Sequence, residues 1–208
     1  MNYTTFVLSD RFDDAFLLAS MLHREQKRKN IPAPFMAHLF SVAALVCENI
    51  GFVCSDPQQA EEYVITAILH DTIEDQGGQK TYELLAEKFG KRIADNVLML
   101  SDAFPDENGN KLPKAERNRL YLEKLESAPL GIVLISCCDK IHNLRTMVAD
   151  AMVADSLDSF WNAFTLKPEP TVANYHKLLD HYTARLGTDN RLIGLYNDAL
   201  RQVELLLD

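Results

Sequence analysis

Apolar residues recur at helical spacing through almost the whole chain, and each periodic run is bounded by residues that start or stop helices. The first run predicts a helix over Phe12 to Lys29, with Asp10 as its N-cap and with Asn30 and Pro32 ending it. A second covers His38 to Ile50, and a third Pro57 to His70. Glu83 to Phe89 and Arg92 to Ser101 form a pair broken near Gly90. The stretch FPDENGNKLP, residues 104–113, carries two prolines and a glycine and is expected to be an exposed loop. Lys114 to Leu125 reads as a charged helix. Pro129 opens a long one over Leu130 to Ala154. Two or three more helices fill 156–207, divided by KPEP and by Gly187.

One stretch is ambiguous. GIVLISCC, residues 131–138, has the isoleucine and valine content of a buried strand. No comparable strand exists to pair with it, so it is assigned to the long helix. The pattern predicts an all-α fold of about ten helices, without internal repeats or low-complexity tracts.

Ionisable residues interrupt this apolar pattern in a specific order. The segment HDTIED, His70 to Asp75, follows the apolar run Tyr63 to Leu69. His70 and Glu74 are four apart, as are Asp71 and Asp75, which on a helix makes each pair neighbours on one face. Asp139 follows a second apolar run, Ile132 to Cys138, with Asn143 four residues on. His38 opens a third apolar helix. Four ionisable groups at the ends of buried helices are costly unless their charge is offset. A divalent metal held by His38, His70, Asp71 and Asp139 would offset it. Imidazole suits zinc and iron, carboxylate suits magnesium and manganese, and the mixture selects no single metal. A lone His-Asp pair arises often by chance; the ordered set of four does so far less often. Glu74 and Asp75 lie beside this set and are placed to orient an attacking water or shuttle its proton. The competing view is a solvated acidic turn before Gly77 and Gly78.

The chain resembles HD-superfamily metallohydrolases, and more closely the hydrolase domain of RelA/SpoT-type alarmone enzymes and their stand-alone small relatives. The residues that carry the resemblance are HREQKRK from His23, Phe35 and His38, FSVAALV, ITAILHDTIED, EKFGKRIADNV and DKIHNLRT. They span roughly residues 20–185. The resemblance implies a single HD-type helical domain over residues 1–208, with its core at about 20–185 and a C-terminal helical extension at about 186–208. It implies removal of the 3′-pyrophosphate from ppGpp or pppGpp, giving GDP or GTP and pyrophosphate. Manganese is the metal expected, with iron and zinc left open. Arg28 and Lys29 match the basic pair of the nucleotide pocket, Asn143 the residue near the ribose, and Tyr175 a pocket tyrosine. Lys114 or Arg117 is expected to meet the pyrophosphate. Glu74 and Asp75 match the catalytic pair. The sequence departs from the pattern at Glu25 and Ile31, where glycines are common, and has one extra residue between the basic pair and His38. Each substrate-binding position has a structural alternative. Arg24 to Lys29 could serve only as cations closing a helix, Lys114, Arg117 and Arg119 as a solvated face, and Arg145 as a surface cation. Trp161, Phe164 and Tyr175 have the alternative of core packing. His142, His176 and His181 have no place in the motif.

Composition narrows the partners. The 208 residues are 47% hydrophobic and 25% charged, with a formal net charge of −9. That balance disfavours nucleic-acid polymers but leaves room for a small anionic nucleotide in a locally cationic cleft. No apolar run reaches the ~18 residues needed to cross a bilayer, and no signal peptide is visible. Cys47, Cys54, Cys137 and Cys138 form no C-x-x-C pair, so a reduced cytoplasmic setting is expected. Two other functions remain in play: an HD phosphohydrolase of another nucleotide, such as an adenine alarmone or a deoxynucleotide, and a non-catalytic helical interaction protein.

Overall fold

The computed structural model describes residues 3–101 and 112–207. Among these residues eleven α-helices run in order: α1 Asp10–Leu22, α2 Met36–Asn49, α3 Pro57–Leu69, α4 Thr72–Asp75, α5 Gln79–Phe89, α6 Lys91–Leu100, α7 Lys114–Ser127, α8 Leu130–Ala151, α9 Leu157–Asn162, α10 Pro168–Leu186 and α11 Arg191–Glu204. Among the described residues there is no strand, only an isolated antiparallel bridge between Lys27 and Pro34. The expected all-α class holds, and no described helix is long and apolar enough to cross a membrane. The predicted loop at 104–113 lies outside the described residues except for Leu112 and Pro113.

Two helices form the centre. Every residue of α3 from Ala60 to Leu69 is buried, and so is α8 from Gly131 to Asp139. α3 packs on α1, α2 and α6, while α8 packs on α2, α10 and α11. Enclosure by helices on several sides, rather than strand pairing, explains the uninterrupted apolar run of GIVLISCC. At the α3–α8 crossing, a Cβ added to Gly131 would lie 2.3 Å from the Tyr63 ring, so only glycine permits this approach. Asp56 caps α3 by accepting from Gln58 N at 2.9 Å, with Pro57 at the first helical position.

Two local expectations are corrected. The first helix is capped by Ser9, not Asp10, and ends at Leu22 rather than Lys29. Beyond His23 the chain turns back on itself: Phe35 N donates to Gln26 O at 2.9 Å, and Arg28 N to Ala33 O at 2.8 Å. The basic run therefore sits on this loop and does not close a helix. The second correction concerns HDTIED, which is not one helical face. α3 stops at Leu69, His70 is its C-cap, and Asp71 precedes the single-turn α4. Thr72 Oγ1 donates to Leu69 O at 2.6 Å across this break.

Candidate active site

The two central helices and α2 converge where they end in, or carry, ionisable groups. His38 lies in the first turn of α2, His70 at the end of α3, and Asp139 midway along α8. His38 Nε2 is 3.2 Å from His70 Nε2, 3.3 Å from Asp139 Oδ1 and 3.4 Å from Asp71 Oδ2. His70 Nε2 is 3.1 Å from Asp71 Oδ2. His38 is 2% exposed and His70 3%, so water does little to separate these groups.

The tautomers decide what the cluster can hold. His70 Nδ1 donates to Ala67 O at 2.8 Å, which leaves the Nε2 lone pair free. His38 Nδ1 lies 2.8 Å from His142 Nδ1. Burial, together with the nearby His38 and Arg28, lowers the His142 pKa to about 4, so its ring is neutral. In the tautomer with the His142 proton on Nε2, His38 donates Nδ1–H and turns its Nε2 lone pair toward the cluster. Two imidazole lone pairs and two carboxylate oxygens thus point at one another. The donor atoms of His38, His70 and Asp71 lie 3.1–3.4 Å apart, close to the ~3 Å between neighbouring donors around one ion when each bond is ~2.1 Å, while Asp139 Oδ1 stands beside this set of three, 3.3 Å from His38 Nε2 and 3.9 Å from His70 Nε2. The donor set fits a divalent cation.

The electrostatics say the same. Burial alone would lower the His70 pKa, but Asp71 beside it and Asp139 behind it outweigh burial and lift it to about 9. Burial opposes ionisation of Asp71 as well, yet His70 and His38 hold its carboxyl well below the usual range. The cluster attracts positive charge strongly enough to take a proton where a metal would otherwise sit.

Asp139 is held from two other directions. Lys140 Nζ is 2.5 Å from its Oδ2, and Asn143 Nδ2 donates to its Oδ1 at 2.6 Å. The Asn143 amide is therefore committed to Asp139, although the side chain also lines the cleft. The Lys140 ammonium lies 5.3 Å from the centre of the Tyr121 ring. Tyr121 continues inward through Ser136 to Tyr182, at 2.7 Å per step.

A cleft of about 440 Å³ opens over this cluster, within the size range of small-molecule sites. Glu74, Asp75, Arg28, Lys29, Lys114, Arg117, Asn143 and Tyr175 all line it, along with three of the four proposed ligands. Asp75 is pushed upward by loss of water and by Asp71. Arg28 donates to Thr146 Oγ1 at 2.9 Å and sits 6.0 Å from the Phe35 ring centre. Lys29 Nζ lies 5.1 Å from that of Phe164. Burial raises the Tyr175 phenol to about 12, so it stays a neutral donor.

The other candidates separate. Arg119 pairs with Glu116 and Glu123 along α7, and Arg145 is exposed. Trp161 packs with Phe160 and Phe164 and donates to Leu206 O at 3.1 Å. His142 corrects the expectation: it has a place, as the partner of His38. Lys140 was missed because a lysine next to an aspartate on a helix is ordinarily solvated. Its position two residues beyond the apolar run Ile132 to Cys138, within the same helix, was the available signal.

Residues 15–163 match the family model described as HD domain. A guanosine-3′,5′-bis(diphosphate) 3′-pyrophosphohydrolase of Homo sapiens is 31% identical over 130 residues, which are 62% of this chain and 65% of that protein. Its counterpart in Xenopus tropicalis is 30% identical over 135 residues, 64% of this chain and 68% of that protein. The match thus spans about two thirds of these relatives. A solved structure described as a metazoan ortholog of SpoT that hydrolyses ppGpp superposes with a TM-score of 0.71, covering 95% of this chain and 98% of that one at 23% identity. At that identity the likeness speaks for the fold.

Proposed function

The chain belongs to the HD-domain family, and from that premise we propose that it is a metal-dependent hydrolase of guanosine tetra- and pentaphosphate. The reaction removes the 3′-pyrophosphate. Water adds to the phosphorus bonded to O3′, and the P–O3′ bond breaks. Pyrophosphate leaves with the water's oxygen, and O3′ takes up a proton.

The observation that carries this reading is the charge of the cleft. The chain as a whole is at −9, but Arg28, Lys29, Lys114, Arg117 and Lys140 face the cleft against the carboxylates of Asp71, Glu74, Asp75 and Asp139. The lining is net positive before any metal is added. That arrangement suits a compact polyphosphate, while the rest of the chain is net negative, which disfavours a long nucleic acid.

His38, His70, Asp71 and Asp139 would hold the cation, with manganese the metal proposed. When bound it supplies Lewis-acid stabilisation of charge at phosphorus and a more acidic water. Glu74 and Asp75 orient that water and move its proton, since both line the cleft next to Asp71 without belonging to the ligand set. The raised pKa of Asp75 favours proton uptake. Arg28 and Phe35 offer faces on which a purine stacks. Lys114 and Arg117 neutralise the pyrophosphate. Tyr175 donates from the far wall. Activity of this kind would lower alarmone levels and relieve stringent-type growth arrest.

Purified protein with manganese should release pyrophosphate, not orthophosphate, from guanosine tetraphosphate while GDP accumulates. Orthophosphate released from the 5′ end would overturn the reading in favour of another nucleotide phosphohydrolase.

A further inference from the structure

We propose that Gln26 is a positioning residue that fixes the orientation of the Asp75 carboxylate. This rests on the hydrolase reading above and assigns a role to a side chain outside the metal cluster. Gln26 Nε2 donates to Asp75 Oδ2 at 2.7 Å. On its other side, Gln26 Oε1 accepts from Gln76 Nε2 at 2.6 Å and meets His23 Nδ1 at 2.7 Å.

The hydrogen-bond inventory permits one arrangement. Burial lowers the His23 pKa, so the ring is neutral and carries one proton. Gln26 Oε1 can only accept, so that proton is on Nδ1. The His23 ring is 1% exposed and stacks on Phe35 at 5.2 Å between centres. Its Nε2 has no partner, which leaves Nδ1 as its single polar anchor. With two donors fixed on Oε1, the amide cannot flip, because flipping would turn Oε1 onto a carboxylate and Nε2 onto two N–H groups. The main chain of Gln26 is held as well: its N donates to His23 O at 3.1 Å and its O accepts from Phe35 N at 2.9 Å.

One amide therefore grips the consecutive residues Asp75 and Gln76 and ties them to the loop that carries Arg28 and Lys29. Asp75 Oδ2 is occupied by this hydrogen bond, which makes Oδ1 the oxygen available to a water. The titratable groups near Asp75 are Asp71 and Glu74 on its own segment, His70 at the end of α3, and the neutral His23 at the end of α1. Burial and Asp71 push its proton affinity up, and the Gln26 hydrogen bond and His70 hold it down.

Gln26→Glu is the informative variant. It keeps the length of the side chain and an acceptor for both His23 and Gln76, but it replaces the donor to Asp75 with a negative charge. A role limited to packing the loop survives this change, whereas a positioning role does not. The expected result is a loss in kcat of about 10²-fold, the scale of a misplaced reacting group, with KM for guanosine tetraphosphate within about twofold. Metal content should be unchanged. Gln26→Ala should fall in kcat too, and if it fails to fold, Gln26→Glu still decides. Independently of turnover, the ¹³C-labelled Asp75 carboxyl should titrate at higher pH in Gln26→Glu than in wild type, because a hydrogen bond to the charged form is lost. Wild-type kcat in Gln26→Glu, or an unmoved Asp75 titration, would overturn the proposal. If wild-type protein leaves guanosine tetraphosphate intact, the substrate reading fails. The Asp75 titration and hydrolysis of bis-p-nitrophenyl phosphate then still decide the role of Gln26.

Discussion

Lys140→Met separates the charge balance of the cluster from its metal affinity. Lys140 Nζ is 2.5 Å from Asp139 Oδ2, and its side chain is 23% exposed against 11% for the aspartate. At an effective dielectric of ~20, two unit charges at that distance attract by about 6–7 kcal/mol, and much of this is offset by removing both from water. A charge-assisted hydrogen bond nets about 1.5–3 kcal/mol, and Asn143 still serves Asp139 Oδ1 after the substitution. The metal-free variant should therefore lose about 2–3 kcal/mol, or about 5–10 °C in Tm for a chain of this size. With saturating manganese the cation takes over the compensation of Asp139, and the loss should shrink below about 1 kcal/mol. The thermodynamic cycle then requires the variant to bind manganese about tenfold tighter than wild type, because a repelling charge has gone. Calorimetric unfolding with and without manganese gives both stability changes, and titration calorimetry gives the affinity directly. An unchanged metal-free Tm together with weaker manganese binding would refute the reasoning.

Three further outcomes follow from the same geometry. Asp71→Ala removes the carboxylate that meets both His38 and His70, so metal content and turnover should collapse while the circular dichroism of the helices persists; full activity after exhaustive chelation would refute the metal assignment. Arg28→Ala removes the group between Phe35 and Thr146 and should raise KM with kcat little changed, as for binding that is equal in ground and transition states; steady-state kinetics showing both constants unaltered would move base binding elsewhere in the cleft. Gly131→Ala drives a methyl into the Tyr63 ring and should cost about 1–3 kcal/mol by overpacking, read as a lower urea midpoint with an unchanged slope.

Much of the site was legible because its residues sit where apolar periodicity stops. His70 caps the end of α3 with Asp71 just beyond it, and Asp139 closes the fully buried part of α8, so all three broke the pattern against a background of core residues. His142 was illegible for the opposite reason. Its role depends on a nitrogen of His38, a residue 104 positions away, and no local pattern reports that contact. Gln26 is similar: a half-buried glutamine in a basic segment reads as solvated until Asp75, 49 positions on, is brought to it. Sequence spacing finds groups whose burial is costly. It does not find neutral groups whose value lies in a single long-range hydrogen bond.

The overrun of the first helix shows how local propensity and the site compete. HREQKRK has good helix formers, and nothing local stops the helix before Asn30. Continued to Lys29, α1 would advance about 10 Å beyond Leu22 along its axis, at ~1.5 Å per residue. Instead the chain leaves the helix at His23, bridges Lys27 to Pro34 and returns to Phe35. Tertiary contacts outweigh the helical hydrogen bonds given up: His23 is buried against Phe35, Gln26 meets Asp75, Arg28 meets Thr146 and Asn30 meets Asp150 at 3.1 Å. Only in the turned-back path do Arg28 and Lys29 line the same cleft as His38. The early helix end is thus what gives an acidic chain a basic wall opposite its metal ligands.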